Sequence, residues 1–401
     1  MYIHTATGNK LMRIPLIMVG IVTLIAIGAI SAAIIFLQST PRSTNGNINN
    51  NITVANISPS TNNNNTTQVA ALSKKPINVI STMSAFPFVQ RWVAQYNNND
   101  QALATVQISY RDDINAKTDR GEDLAIVGHV FNNYNSSSYY IPVSAQAVAI
   151  VYNIPSFPDV PSGLKLNASL LSSIFNGTIT EWDDEAIKNL NHGQNLPHEK
   201  IVVVHENTIS NGSLDLLKKY ISPNSINWPD NGSIATTGPD DLAAMVRKTP
   251  YSIGYVDFSY AVQTKMTFAA IANMHSGRYI TPSVDSIDQA VNTALKIQNM
   301  SSDIIQGTPT TLQVINSSNL GNSSYPIIGL YYATVIPNKS ASDSETTGTL
   351  DFVKWIIDTG GGQQALTEVQ YPPIYNNVTL MAYTQATIAK ASESNRNNNT
   401  L

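Results

Sequence analysis

Residues 14–37 form an uncharged, largely apolar segment of 24 residues, and this segment restricts the architecture more than any other feature of the sequence. A helix of that length, rising about 1.5 Å per residue, exceeds the roughly 30 Å hydrocarbon thickness of a membrane. Lys10 and Arg13 precede the segment and only Arg42 follows closely. The positive-inside rule then places residues 1–13 in the cytoplasm and the rest of the chain outside, with residues 14–37 as a transmembrane anchor.

A cleaved signal peptide is the alternative to the anchor. Its apolar core is usually shorter, about 7 to 15 residues, but Ser31-Ala32-Ala33 offers small residues for cleavage. Asn, Thr and Ser dominate residues 38–74, which predicts a flexible tether. The polar C-terminal residues 386–401 are predicted to be a disordered tail.

Composition excludes several classes of protein. The net charge is −4 and only 12% of residues are charged, so no basic face for nucleic acid is expected. The chain has no cysteine, which excludes disulfides, thiolate metal sites and Cys nucleophiles. Asn supplies 43 of the 401 residues, so the surface is expected to be polar but uncharged.

Asn-x-Ser/Thr triplets recur along the chain, which fits an exported, glycosylated surface better than a cytosolic one. Many arise by chance in so Asn-rich a sequence, and each one alone is weak evidence. The triplets begin among others at Asn51, Asn56, Asn64, Asn65, Asn135, Asn167, Asn176, Asn231, Asn316, Asn322, Asn338 and Asn377.

From about residue 75 to 385, apolar runs typical of buried strands alternate with helical patterns. Strands are predicted at residues 77–80, 106–108, 124–127, 147–152, 201–204 and 327–332. Helices are predicted at residues 86–96, 240–248, 286–297 and 349–358. This alternation indicates α/β layers around mainly parallel sheets, and about 310 residues are enough for two lobes.

Three segments of this region then match a known family in order. Residues 171–187 read Leu-Ser-Ser-Ile-Phe-Asn-Gly-Thr-Ile-Thr-Glu-Trp-Asp-Asp-Glu-Ala-Ile, residues 246–256 read Val-Arg-Lys-Thr-Pro-Tyr-Ser-Ile-Gly-Tyr-Val, and residues 350–360 read Leu-Asp-Phe-Val-Lys-Trp-Ile-Ile-Asp-Thr-Gly. Together they resemble the PstS family of phosphate-binding proteins of ABC importers, over about residues 76–380. The matched residues are mostly structural: Trp182 and Ile187 are expected to pack a helix, and Gly254 to let a strand pass close to its neighbour.

The resemblance implies a type II periplasmic-binding-protein fold, with two α/β lobes joined by two crossover strands and closing on a ligand. Lobe I would hold residues 75–151 and 326–385, and lobe II residues 152–325, with crossovers near residues 151–154 and 325–330. It also implies a solute-binding protein that delivers phosphate or a related oxyanion to an ABC permease in the same membrane.

The family holds a dehydrated oxyanion with helix-start amides, hydroxyls, one Arg and a proton-accepting Asp, a chemistry that suits the positive end of a helix. Carried onto this sequence, the resemblance implies a ligand site of Thr82, Ser84, Ala85, Phe86, Arg111, Gly128, Asn211, Gly212 and Ser213. Ser84 has an alternative role as a simple cap of the first helix.

Two positions depart from the family. Gly128 lies where the family has its Asp, and Glu206 lies where it has its Arg, so the charge there changes sign. Arg111 could supply the missing guanidinium, with Asp112 or Asp113 as proton acceptor; alternatively, Glu206 points out of the cleft.

Two further hypotheses remain open. His129, His205 and Glu206 could converge as ligands of a cation, or the chain could be a glycosylated cell-surface protein that has kept the fold and lost phosphate binding. The motifs of nucleophile elbows, zinc proteases and nucleotide-binding loops do not occur, so neither an enzyme nor a cofactor is expected.

Overall fold

The computed structural model describes residues 74–111, 122–128, 139–155, 163–207, 212–221, 226–297, 320–335, 343–374 and 378–398. The expected transmembrane segment, 14–37, lies outside these ranges, as do residues 1–13, expected in the cytoplasm, and almost all of the expected tether. Nowhere in the described ranges is a helix both long enough and apolar enough to cross a membrane.

Eight strands form one mixed sheet in the order β2-β1-β3-β11-β4-β8-β6-β7. Three short strands, in the order β10-β9-β5, form a second sheet. The strands are β1 Lys75–Ser81, β2 Ala104–Tyr110, β3 Leu124–Val127, β4 Tyr139–Asn153, β5 Lys165–Leu166, β6 Val202–Glu206, β7 Ser233–Thr236, β8 Ser252–Asp257, β9 Ala270–Ala272, β10 Tyr279–Ile280 and β11 Ile328–Val335.

Helices cover the sheets, and several begin with an identifiable cap. Asn167 and Asp184 each accept a backbone N–H at the start of a helix through the side chain. The described helices are α1 Phe86–Asn97, α2 Ala168–Phe175, α3 Glu185–Leu190, α4 Gly212–Ile221, α5 Pro239–Lys248, α6 Phe258–Gln263, α7 Val284–Ile297, α8 Asp343–Ile357, α9 Gly362–Glu368 and α10 Val378–Asn398.

The long strand β4 joins two halves of the main sheet. Its first part, up to Ala147, pairs with β11, and its second part, from Val148 onward, pairs with β8. On one side β1, β2 and β3 are parallel to one another, and on the other side β6, β7 and β8 are parallel to one another. Strand β3 is antiparallel to β11, which is antiparallel to β4, so β3 runs in the same direction as β4. Strand β8 is antiparallel to β4 and runs in the opposite direction. The carboxyl ends of the two strand sets therefore face each other.

We call the halves the first and second lobe. One hydrophobic core lies wholly within the first lobe, and a larger core fills the second lobe and extends onto β1 and β3 of the first. Phe88 and Trp92 of α1 are fully buried in the first core, together with Phe352 of α8. Trp182 is fully buried in the second core and donates its indole N–H to the carbonyl of Tyr251. The predicted two-lobed α/β fold is therefore confirmed.

Two details differ from the sequence predictions. The main sheet is mixed rather than mainly parallel, because β4 and β11 run antiparallel to their neighbours. The prediction of a disordered tail from residue 386 is wrong for residues 386–398, which continue helix α10. Tyr383, Ile388 and Ala391 are buried and hold this helix against the protein.

Candidate functional site

The loop after β1 holds four of the expected site residues. Thr82 donates its N–H to the carbonyl of Ile126 on β3, and its hydroxyl lies 3.4 Å from that of Ser84. The N–H groups of Ala85 and Phe86 both donate to the Thr82 carbonyl at 3.1 Å. These two amides are therefore engaged inside a turn, and the two hydroxyls are the polar groups that the loop presents.

Ser84 does not cap the first helix, so that alternative interpretation is wrong. Ala85 is the residue before α1, and no side chain caps the helix there. Instead the carbonyl of Ser84 accepts a hydrogen bond of 2.7 Å from the hydroxyl of Tyr371, and the hydroxyl of Tyr331 lies 3.4 Å away. Two buried tyrosines thus fix the position of the loop.

Tyr331 extends this contact to the second lobe. Its hydroxyl donates to Asp257 Oδ2 at 2.7 Å, and Asp257 in turn accepts the N–H of Ser259 at the start of α6. Burial raises the pKa of Asp257 to about 7, against the hydrogen bonds of Tyr331 and Ser259, which lower it. A buried carboxyl group therefore lies behind the Ser84 loop, joined to it through Tyr331.

Arg111 follows β2 beside the same loop. Its N–H donates to the carbonyl of Ser81, the last residue of β1, at 3.0 Å. Its guanidinium Nη2 lies 3.2 Å from Glu122 Oε1, with a quarter of the Arg111 side chain exposed. Arg111 is the one positively charged residue that the sequence analysis expects to bind the anion, and its guanidinium is therefore already paired with a carboxylate. Asp112 and Asp113 lie outside the described residues.

Gly128 and Gly212 meet where the two lobes approach each other. A Cβ atom built on Gly212, the first residue of α4, would lie 3.2 Å from both the Cα and the carbonyl oxygen of Gly128, which follows β3. A side chain at position 212 would crowd both atoms, so glycine favours this approach. Ser213 is buried in the first turn of α4. Asn211 lies outside the described residues.

Gln146 on β4 lies between these two glycines, and sequence reasoning missed it. A Cβ on Gly128 would lie 2.7 Å from Gln146 Oε1, and a Cβ on Gly212 would lie 3.2 Å from Gln146 Nε2. The residue is fully buried. The signal that could have revealed it is an amide among the small and apolar residues 143–151 of this strand.

Glu206 and His205 end strand β6, and both are buried. The N–H of Glu206 donates to the hydroxyl of Tyr255 at 3.3 Å, and burial, followed by the charge of Glu206, raises the pKa of Tyr255. The ring of His205 stacks on Trp228 at 4.4 Å. Burial lowers the pKa of His205.

The suggested cation site is not assembled by the described residues. Their only group of three metal-binding side chains within reach of one another is Glu181, Asp183 and His198, which does not include His205 or Glu206. His129 lies outside the described ranges.

The fold thus gathers most of the expected site residues at facing strand ends. Ser81 pairs in register with Tyr110 and with Ile126, so Thr82, Arg111 and Gly128 follow three neighbouring strands at one edge. Gly212 and Ser213 approach from the second lobe. In open α/β sheets, ligands bind outside the carboxyl ends of the strands, as this arrangement would allow.

Comparisons with known proteins identify the family of the chain. The PBP superfamily domain matches residues 128–359. The phosphate-binding protein PstS of Methanocaldococcus jannaschii is 29% identical over 326 residues, covering 72% of this chain and 81% of that protein. PstS of Xylella fastidiosa is 27% identical over 339 residues, covering 79% and 86% of the two chains.

Solved structures show the same fold at low sequence identity. A high affinity periplasmic phosphate-binding protein bound with phosphate has a TM-score of 0.56 at 16% identity, covering 77% of this chain and 93% of the other. A putative phosphate ABC transporter substrate-binding protein from Clostridium perfringens has a TM-score of 0.50 at 14% identity, with coverages of 75% and 99%. The chain therefore belongs to the PBP superfamily, and within it resembles the PstS phosphate-binding proteins.

Proposed function

We propose that this chain is the solute-binding protein of a phosphate-type ABC importer and captures phosphate or a related oxyanion between its lobes. The observation that carries the proposal is the meeting of Gly128, at the end of β3, with Gly212, at the start of α4. The start of a helix presents unpaired N–H donors and a positive dipole end, which favour an anion. The names of the PstS relatives point to the same ligand.

Hydroxyl groups would complete the site. Thr82 and Ser84 present theirs from the first lobe, and Ser213 carries one in the first turn of α4. Arg111 contributes a positive charge that Glu122 offsets. Binding therefore depends on dipoles and hydrogen bonds more than on net charge, which suits a site that must release its ligand.

Transport follows from lobe closure rather than from a chemical step. The lobes would close on the anion, and the closed protein would deliver it to an ABC permease in the same membrane. Residues 14–37 would anchor the chain, residues 38–74 would act as the tether, and the lobes would face outside. Glycans on some of the Asn-x-Ser/Thr triplets would be compatible with that location.

A second candidate is a cell-surface protein that has kept the fold without the ligand. The observations that favour it are the pairing of Arg111 with Glu122 and the buried Glu206 in place of the family's Arg. A buried carboxylate close to a bound dianion would weaken binding through repulsion.

Calorimetric titration of the purified full chain in detergent with phosphate distinguishes the two candidates. We expect saturable binding and a rise in melting temperature, since a ligand present at about one hundred times its Kd stabilises the native state by about 2.7 kcal/mol. Ser213→Ala should weaken phosphate binding about tenfold, because it removes one hydrogen bond to a charged ligand.

Thr367→Ala is the matched control, because the Thr367 hydroxyl donates only to the nearby Gln364 carbonyl at the surface. It should leave phosphate affinity unchanged. Absence of binding and of any melting shift with phosphate, arsenate and sulfate would favour the surface protein that has lost its ligand.

A further inference from the structure

Gln146 is a buried amide without hydrogen-bond partners in the described part of the protein. It lies opposite Gly329 of β11 in the middle of the main sheet and is fully buried. Neither Nε2 nor Oε1 has a partner there. The next polar residue on the same strand, Ser144, donates instead to the carbonyl of Pro372 at 2.9 Å. Buried polar groups are normally paired, so the unused bonding capacity of Gln146 calls for an explanation.

The amide points to the place where the lobes meet. Oε1 occupies the space that a Cβ on Gly128 would need, and Nε2 lies against Gly212. Glycines at both positions therefore make room for the amide. The start of helix α4, with its positive dipole end, lies directly beside Nε2. An amide donor and the start of helix α4 thus lie side by side where the lobes meet.

We propose that Gln146 is a ligand-binding residue that hydrogen-bonds a tetrahedral oxyanion at the start of α4 and makes the site tolerant of fully ionised oxyanions. This inference rests on the proposed function. A carboxylate can only accept hydrogen bonds, so it favours an oxyanion that keeps a proton. A neutral amide offers two donors and one acceptor, so it can bind an oxygen with or without a proton. Sulfate as well as phosphate therefore falls within the class of ligands.

The test is a titration of the purified full chain in detergent with phosphate and with sulfate. In the natural protein we expect the two Kd values to lie within about tenfold of each other. Gln146→Glu should weaken sulfate binding about a hundredfold or more and phosphate binding less, because an ionised carboxylate repels an anion that has no proton to offer. Gln146→Leu keeps a similar volume without the amide and should weaken binding of both anions by about tenfold or more.

Gln363 provides a matched control, because it is a buried glutamine whose amide is fully used. Its Nε2 donates to the carbonyls of Val143 and Ile356, and its Oε1 accepts the N–H of Ile374. Gln363→Leu should lower the melting temperature and leave the affinity of the folded protein unchanged. Gln146→Leu should do the reverse, leaving the melting temperature of the unliganded protein at or above that of the natural chain.

The outcomes separate the inference from the proposed function. Phosphate binding without measurable sulfate binding, or anion affinities unaltered in Gln146→Leu, would overturn the role of Gln146 and leave the phosphate-binding function intact. Failure of the natural chain to bind either anion would overturn the proposed function and, with it, the assignment of Gln146.

Discussion

Asp257 shows how a single residue couples the second lobe to the loop that we assign to the ligand. It is fully buried between Tyr331 and the first turn of α6, and it accepts a hydrogen bond from each. Burial outweighs these bonds and raises its pKa from 3.8 to about 7. The carboxyl group therefore keeps its proton over a pH range in which an Asp of the unfolded chain is ionised.

This raised pKa predicts a specific pH dependence of stability. Because the folded pKa lies above the unfolded one, the contribution of Asp257 is fully present below about pH 4 and is lost as the pH rises towards 7. In the Asp257→Asn variant, the free energy of unfolding should therefore depend less on pH over this range, by at most about 1.4 kcal/mol per pH unit. Urea unfolding followed by tryptophan fluorescence across this range measures it.

Tyr331→Phe is the companion variant for this test. It removes the hydrogen bond that lowers the pKa of Asp257, so the loss of stability should still begin near pH 4 but extend to higher pH. If Asp257→Asn showed the same slope as the natural protein, Asp257 would not be the group responsible.

At this scale the sequence predicted part of the candidate site. Thr82, Ser84, Gly128 and Gly212 could be aligned because they follow predicted strands or precede helices. Gln146 and Asp257 were missed, since each acts through contacts with residues that are distant in the chain. The pairing of Arg111 with Glu122 could not be predicted either. Arg111 follows β2 and Glu122 precedes β3, and the sequence does not show that β1 lies between these two strands in the sheet.

At the scale of elements, Gly254 sets the distance between helix α5 and the sheet. A Cβ at this position on β8 would lie 2.9 Å from Val246 Cγ2, 3.0 Å from Leu242 Cδ2 and 3.1 Å from the carbonyl of Val204. The glycine thus lets both helix α5 and the neighbouring strand β6 pack closely against β8. The sequence predicted a close approach of a neighbouring strand only.

Gly254→Ala should lower the free energy of unfolding by about 1–3 kcal/mol, because the extra methyl group overpacks a core that is already full. Urea denaturation of the full chain measures this change. Gly360→Ala is the control: the nearest atom to its Cβ is Asp358 Oδ2 at 3.4 Å. Its effect should stay within about 0.5 kcal/mol. Equal effects of the two substitutions would contradict the packing argument.

Element prediction succeeded where apolar runs were dense. All six predicted strands and all four predicted helices are present, with ends shifted by up to eight residues. Helix α10 was missed because its apolar positions are sparse, and Tyr383, Ile388 and Ala391 are buried only through tertiary contacts. The first half of β4 was missed for a related reason, since its residues 139–146 include Pro142, Ser144 and Gln146.

At the scale of the whole molecule, the family resemblance and the chain length predicted the two lobes. The location of the protein at the membrane remains a prediction from residues 14–37. Deletion of residues 1–37 should move the protein from the membrane fraction to the soluble fraction, because it removes the 24-residue apolar segment. Fractionation of cells that express each version, with immunodetection, measures this.

Deletion of residues 38–73, a segment of similar length in the tether, is the control and should leave the protein in the membrane fraction. A soluble natural protein whose N-terminal residue lies just after Ala33 would show instead that the segment is a cleaved signal peptide.

Strand β4 exchanges one neighbour for another between Ala147 and Val148, immediately after Gln146. Any rotation of one half of the protein against the other must twist the backbone at this place. An anion bound by Gln146 would therefore contact β4 directly beside the point about which the lobes rotate. Ligand binding and lobe rotation would then be coupled through one residue, without intervening side chains.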